Sequence, residues 1–358
     1  MKNQFKKALL PALISSSLIL VGCAGGSDNP GADGTTTLTS GIITGFGSVY
    51  VNGVKFETDS TRFKVDDNPS ASQDDLSIGM RVKINGRIND DGVTGIATEL
   101  LYENELKGPV SNIVIDPVDP TLATMTILGQ QIEVNADTRF DQGTTLAGLI
   151  AGDFLEVSGF TSTDSSIVAT FIEKQTGTFT PTTGLVEIKG VIENLDSTSF
   201  TVRGFSIQYD SDTVLDDIPG NSLSDGLYVE VKGNLNGGAD TLIASKIERE
   251  QDGLGDNADE VEIEGIIADF NATSETFSIQ GQRINFAGLP VFIPSTLILA
   301  DGIKVEAEGS LIEGILFADK IKLKGQKIRI EAAISSVSTT NGTVSFSLFG
   351  GDNNISIR

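Results

Sequence analysis

One spacing recurs four times in this chain and limits what it can fold into. Two glycines stand seven residues apart around an alternating segment: Gly79 with Gly86, Gly152 with Gly159, Gly226 with Gly233, and Gly302 with Gly309. Val82, Val229 and Val305 share one parity of that segment, and Lys83, Glu230 and Glu306 share the other. Period-two alternation is the pattern of a strand with one face buried. A fixed frame carried by divergent residues is the mark of a repeated structural unit.

Three further landmarks accompany each frame. Upstream lies an apolar strand through a Gly-hydrophobic pair, at Gly41, Gly108, Gly190 and Gly265. A hairpin follows, turning at Asn52-Gly53, Leu128-Gly129, Arg203-Gly204 and Gln280-Gly281. Alternating flanks with glycine in a two-residue turn are the hairpin signature, strongest for Asn-Gly. Downstream of the frame comes a closing strand with a small residue and a later aliphatic: Ala97 and Leu100, Ala169 and Ile172, Ala244 and Ile247, Ala318 and Ile321. Each copy therefore predicts about five strands with one long connection between hairpin and framed strand. That connection has room for a short helix. This pattern suits a small closed barrel of OB type, which leaves no free strand edge. The competing arrangement is an open meander whose strands pair from one module to the next.

The expected fold class is all-β: tandem five-stranded OB-like barrels behind a lipoprotein signal peptide. The expected divisions are a signal peptide at 1–22, a lipidated cysteine and tether at 23–38, and modules at 39–106, 107–175, 184–250 and 260–325. A fifth copy begins at 326–358 and reaches Arg358 before any fifth glycine frame, so it reads as a partial module. Segments 176–183 and 251–260 read as linkers from their Thr/Gly/Pro and Asp/Gly content.

Residues 8–21 form a mostly apolar run behind Lys2, Lys6 and Lys7. It is too short for a membrane-spanning helix and reads as the core of a signal peptide. It ends in Leu20, Val21, Gly22 and Cys23, which resembles the lipobox of bacterial lipoprotein signal peptides. The resemblance implies a diacylglyceryl group on the Cys23 sulfur, cleavage before Cys23 and acylation of the new amino terminus. Several acyl chains hold a protein firmly to a membrane where one does not. Ala24, in place of the Asp that favours inner-membrane retention, implies sorting to the outer membrane. Residues 24–38 are polar and aperiodic and read as a flexible tether.

The four landmarks together resemble the bacterial envelope-lipoprotein family whose module is known as domain-of-unknown-function family 5666. The resemblance covers residues 41–357. It implies OB-like modules in tandem behind a lipobox, and it implies no catalytic residues.

Composition narrows the function. The net charge is −24, from 49 acids against 25 bases, which opposes binding to phosphate backbones. No nucleic-acid partner is therefore expected, and the sequence carries no cofactor motif. There is no histidine, which removes every Ser–His or Cys–His pair and His-ligated zinc. Carboxylates are the plentiful reactive groups, clustered at Asp66-Asp67, Asp74-Asp75, Asp90-Asp91 and Asp216-Asp217. The densest cluster offers Asp252, Asp256 and Asp259 as weak candidates for a hard cation, without the spacing of a known calcium loop. These clusters read mainly as solvated turns. Phe46, Phe56, Phe205 and Phe286 read as core. The expected function is a non-enzymatic, lipid-anchored envelope protein with a binding or spacing role. Its expected partners are the membrane, through the anchor, and a glycan or envelope protein. The alternatives are a calcium- or glycan-binding adhesion protein and, less favoured, a hydrolase using two carboxylates.

Overall fold

The computed structural model describes residues 37–325 apart from 67, 69, 103, 163–164, 251–253 and 255–256, together with the backbone of three further strands between 334 and 357. The leader, Cys23 and the tether lie outside the described residues. Every regular element is a strand or a single 3₁₀ turn.

Module 1 contains β1 (Thr37–Gly45), β2 (Val49–Val51), β3 (Val54–Glu57), β4 (Arg62–Val65), β5 (Arg81–Ile88) and β6 (Thr94–Tyr102). β1 pairs antiparallel with β2 and β5, β2 with β3 and β5 with β6, while β3 runs parallel to β6. The order β1-β2-β3-β6-β5 closes on itself as a five-stranded barrel. β4 adds a short parallel strip to β6.

The other modules repeat this wiring. Module 2 has β7 (Leu106–Ile115), β8 (Ala123–Ile127), β9 (Gln130–Val134), β10 (Arg139–Phe140), β11 (Phe154–Thr161) and β12 (Ile167–Lys174). Module 3 has β13 (Leu185–Glu193), β14 (Ser199–Val202), β15 (Phe205–Gln208), β16 (Val214–Asp216), β17 (Tyr228–Leu235) and β18 (Thr241–Arg249). Module 4 has β19 (Ala258–Asn271), β20 (Thr276–Ile279), β21 (Gln282–Asn285), β22 (Val291–Ile293), β23 (Lys304–Ile312) and β24 (Ile315–Leu323). The long connection holds the short extra strand and, in modules 1 to 3, one 3₁₀ turn at Gln73–Asp75, Leu146–Gly148 or Pro219–Asn221. β25 (Ile334–Ser338), β26 (Thr343–Ser347) and β27 (Asn354–Ile357) form an antiparallel meander, matching the first three strands of a further copy.

The glycine frame has a mechanical explanation. Gly226 opens the strand at φ 88°, where a side chain would be strained. Gly233 is not at a turn. It sits at a register shift between β17 and β18, where a Cβ would lie 2.1 Å from the Ile243 carbonyl oxygen. A bulge of this kind bends a strand, which a small barrel needs. Val229 and Val231, between the two glycines, point inward and are fully buried.

The barrels do not hang as separate beads. β1 of module 1 pairs parallel with β19 of module 4, placing Thr37 opposite Glu260 and Thr39 opposite Glu262. β7 of module 2 pairs antiparallel with β13 of module 3, placing Lys107 opposite Glu187. Each pair of modules shares one twelve-stranded sheet. Closed barrels and inter-module pairing thus coexist.

Both segments expected to be linkers carry residues that pack on the modules. Phe179 stacks on Phe154 of module 2, with ring centroids 4.6 Å apart, and the Leu235 N–H of module 3 donates to the Pro181 carbonyl. Leu254 is buried in the core of module 4, and its N–H donates to Gln282 Oε1 at 3.0 Å. Their compositions are linker-like, but these apolar residues have core surface to cover. Of the expected core aromatics, Phe56 and Phe205 are buried and Phe286 packs against the module 4 core. Phe46 is exposed in the turn between β1 and β2.

Candidate functional site

The four modules meet at one buried polar junction, and hairpin turns build much of it. The first turn residue adopts a positive φ in each hairpin: Asn52, Leu128, Arg203 and Gln280. In modules 3 and 4 this position carries a long polar side chain that reaches out of its own barrel. Room beneath the turn comes from the first-strand glycine. A Cβ on Gly190 would stand 2.8 Å from Val202 Cγ1 and 3.1 Å from Arg203 Cγ.

Arg81 of module 1 is the hub. Its backbone N–H donates to Ser158 Oγ at 2.9 Å, and its Nε donates to the Gly159 carbonyl at 3.1 Å, both in module 2. Nη1 donates to Gln280 Oε1 of module 4 at 2.9 Å. Nη2 pairs with the carboxylate of Glu105, which lies between β6 and β7. Arg203 of module 3 donates from Nη2 to Thr161 Oγ1 at 3.0 Å and approaches the other Glu105 oxygen at 3.9 Å. Burial opposes ionisation of Glu105, but Arg81 and Arg203 outweigh it and hold this carboxyl below the usual range. Lys304 of module 4 lies 4.6 Å from the ring centroid of Phe160 in module 2, a cation–π contact across the same junction.

A cavity of about 450 Å³ opens beside this hub. Ser40, Glu105, Lys189, Leu254 and Ile263 form its buried floor. Ser165, Val191, Glu193, Asp269 and Gly281 form an exposed rim. Burial pushes the Tyr228 hydroxyl in its wall up to about 12.

A second network runs along the seam between modules 2 and 3. Lys107 pairs with Glu156 and lies 3.7 Å from Glu187. Lys232 lies 3.9 Å from Glu187 and 3.2 Å from Glu230, and Lys189 lies 3.6 Å from Glu230 and 3.4 Å from Glu250. Alternation assigns these residues to the outer face of their barrels, and there they are. The neighbouring module then covers that face. Two carboxyls beside these seams are pushed up to about 7 by burial: Asp66, where Glu156 adds to the effect, and Glu230, where Lys189 and Lys232 oppose it. At the seam between modules 1 and 4, burial and the Glu306 carboxylate raise Glu262 to about 7. Among the described residues its Oε2 has no hydrogen-bond partner, nor has the hydroxyl of Thr39 opposite it.

The acidic turns serve their own backbone. Asp91 accepts from the N–H groups of Val93 and Thr94, and Asp196 accepts from those of Thr198 and Ser199. Asp75 completes a capping box with Ser72. Asp216 pairs with Lys246 at 3.0 Å. Of the weak cation candidates, Asp252 and Asp256 lie outside the described residues, and Asp259 is exposed on β19. Among the described residues, no group of three or more acidic, histidine or cysteine side chains converges as a metal site. Sequence reasoning missed Arg81, Glu105, Arg203 and Gln280. The one available signal was a polar residue with a long side chain at two of the four hairpin turns.

A family model described as Domain of unknown function (DUF5666) matches residues 37–100, 107–173, 189–248 and 260–322, more than half of the chain. The chain belongs to the DUF5666 family. No curated protein matches it. The four DUF5666 matches coincide with the four barrels, so one match is one barrel with its hairpin, frame and closing strand. Glu105 falls between the first two DUF5666 matches. The acid at the hub is thus a feature of how this chain packs its copies together.

Proposed function

We propose that this DUF5666 protein is a lipid-anchored, non-enzymatic binding protein of the bacterial cell envelope, sorted to the outer membrane. The observation that carries the anchoring is Cys23. It is the one cysteine of the chain, and it closes the apolar leader directly after Leu20, Val21 and Gly22. The four-barrel unit supports a binding role better than a spacing role. Its modules are fastened to one another by shared sheets and buried ion pairs, so they present one fixed surface. The absence of histidine and the placement of the perturbed carboxyls in seams favour binding over catalysis. The acidic turns give calcium adhesion little support, because Asp91 and Asp196 already accept from their own backbone.

The test is membrane fractionation of cells producing the wild-type chain or Cys23→Ser. The wild type should sediment with outer membranes, and the variant should move to the soluble fraction. A variant that still sediments with membranes would overturn the anchor.

A further inference from the structure

We infer that the cavity at the four-module junction is a binding site for an uncharged saccharide. This rests on the reading of the chain as a binding protein and adds its ligand class.

The first argument is charge. Among the described residues, four cationic side chains line the cavity: Arg81, Lys83, Lys189 and Arg203. Four carboxylates match them: Glu105, Glu193, Glu250 and Asp269. Arg81 and Arg203 share Glu105, and Lys189 lies against Glu250. In a chain of net charge −24, these described residues balance in charge. An ion entering the cavity would lose hydration without meeting a net counter-charge among these residues.

The second argument is hydrogen bonding. Among the described residues, the Ser40 hydroxyl, on a residue 1% exposed, and Arg203 Nη1 on this lining find no hydrogen-bond partner. The rim offers carboxylate acceptors at Glu193 and Asp269. A partner that donates, as the hydroxyls of a sugar do, would meet these rim acceptors.

The third argument is shape and surface. Leu101, Val191, Ile263 and Tyr228 supply apolar wall for the C–H faces of a ring. About 450 Å³ lies within the roughly 300–1,000 Å³ of small-molecule pockets. The wall is also built from the parts that OB barrels turn toward ligands. Thr161 ends the fourth barrel strand of module 2, and Ser162 and Ser165 belong to the loop between the fourth and fifth. Ser278 and Gln280 belong to the second strand and hairpin turn of module 4. The strand 2–3 face and the 4–5 loop are where such barrels hold oligosaccharides.

The test is calorimetric titration of the full acylated chain in a non-glycosidic detergent. The probes are glucose, maltotriose, cellotriose and diacetylchitobiose, with trigalacturonate and dialanine as charged controls. Tyr228→Phe and Asp269→Asn are the variants, because neither residue belongs to the buried ion pairs. The expected result is saturable heat with at least one neutral sugar, weakened tenfold or more in both variants. Binding of glucose as tight as that of a trisaccharide would identify a single free sugar as the occupant, and tighter trisaccharide binding a chain segment. No heat with any neutral probe, heat with a charged control alone, or affinity unchanged in both variants would overturn the site. Recovery of a shortened probe would instead overturn the non-enzymatic reading and leave the site standing. Loss of the site would leave the Cys23 anchor untouched.

Discussion

Arg81 Nη1 donates to Gln280 Oε1 at 2.9 Å across 199 residues of sequence. The same guanidinium neutralises Glu105, so one side chain ties module 1 to module 4 and to the connection into module 2. Removing one partner of a buried pair leaves the other charge uncompensated, at a cost of about 3–5 kcal/mol. Arg81→Met should therefore lower unfolding free energy by about 3 kcal/mol, with Arg203 still partly shielding Glu105. Glu105→Gln in the same chain should recover part of that loss. A double-mutant cycle in denaturant titration checks this, and additive effects would mean that the pair is not coupled.

The bulge glycine predicts a contrast within one hairpin. A Cβ on Gly233 would press on the Ile243 carbonyl and on Leu242 Cδ2, so Gly233→Ala must push β17 and β18 apart. A Cβ on Gly237 meets nothing within 4 Å. Gly233→Ala should cost about 2 kcal/mol or more, in the range of an overpacked core. Gly237→Ala should be neutral, or stabilise by up to about 1 kcal/mol through the unfolded chain. Paired thermal melts decide it.

The barrel was legible because its constraints are local. Glycines at Gly226 and Gly233, the turn at Asn52-Gly53 and inward Val229 and Val231 all follow from strand and turn geometry within one copy. The junction was not, because it depends on which copy meets which. Glu187, Lys189, Glu230 and Lys232 alternate along their strands as a solvent face would. Only the β7–β13 register, which sets Lys107 of module 2 against Glu187 of module 3, reveals charges matched across a seam. The packing of Phe179 and Leu254 was hidden for a related reason. Composition describes how a chain would behave alone, and Phe179 and Leu254 are held by surfaces far from them in sequence.

Phe171 predicts shared cooperativity. It belongs to β12 of module 2, yet it is 2% exposed within the core cluster of module 1. Deleting a buried phenylalanine costs about 3–5 kcal/mol. Phe171→Ala should therefore destabilise modules 1 and 2 together. Calorimetry of the wild type should show modules 1 and 2 unfolding in one transition, and the variant should shift that transition as a whole. Separate transitions for the two modules, with only one of them moved, would show that they fold independently.

Acidification should tighten this protein before it denatures it. Asp66, Glu230 and Glu262 have folded-state pKa values raised to about 7, each chiefly by burial. Asp66 faces Glu156 and Glu187 against Lys107 and the Asn104 N–H; Glu230 faces Glu187 and Glu250 against Lys189 and Lys232; Glu262 faces Glu306, Glu308 and Glu260 against Lys322. In each case the folded state keeps its proton at a pH where the unfolded chain has lost it. Their contribution is greatest below the unfolded pKa near 4 and is lost as pH rises to about 7, at up to about 1.4 kcal/mol per pH unit per group. Carboxyls with lowered values, such as Glu105 and Asp91, act oppositely, but only as pH falls below about 4. Unfolding free energy should therefore be higher at pH 5.5 than at pH 8. Asp66→Asn mimics the protonated carboxyl while keeping an oxygen for the Asn104 N–H, so it should raise stability at pH 8 and reduce the pH dependence by one group's share. Denaturant titrations of both proteins at the two pH values measure this. Equal wild-type stability at pH 5.5 and 8 would show that these seams do not hold their protons.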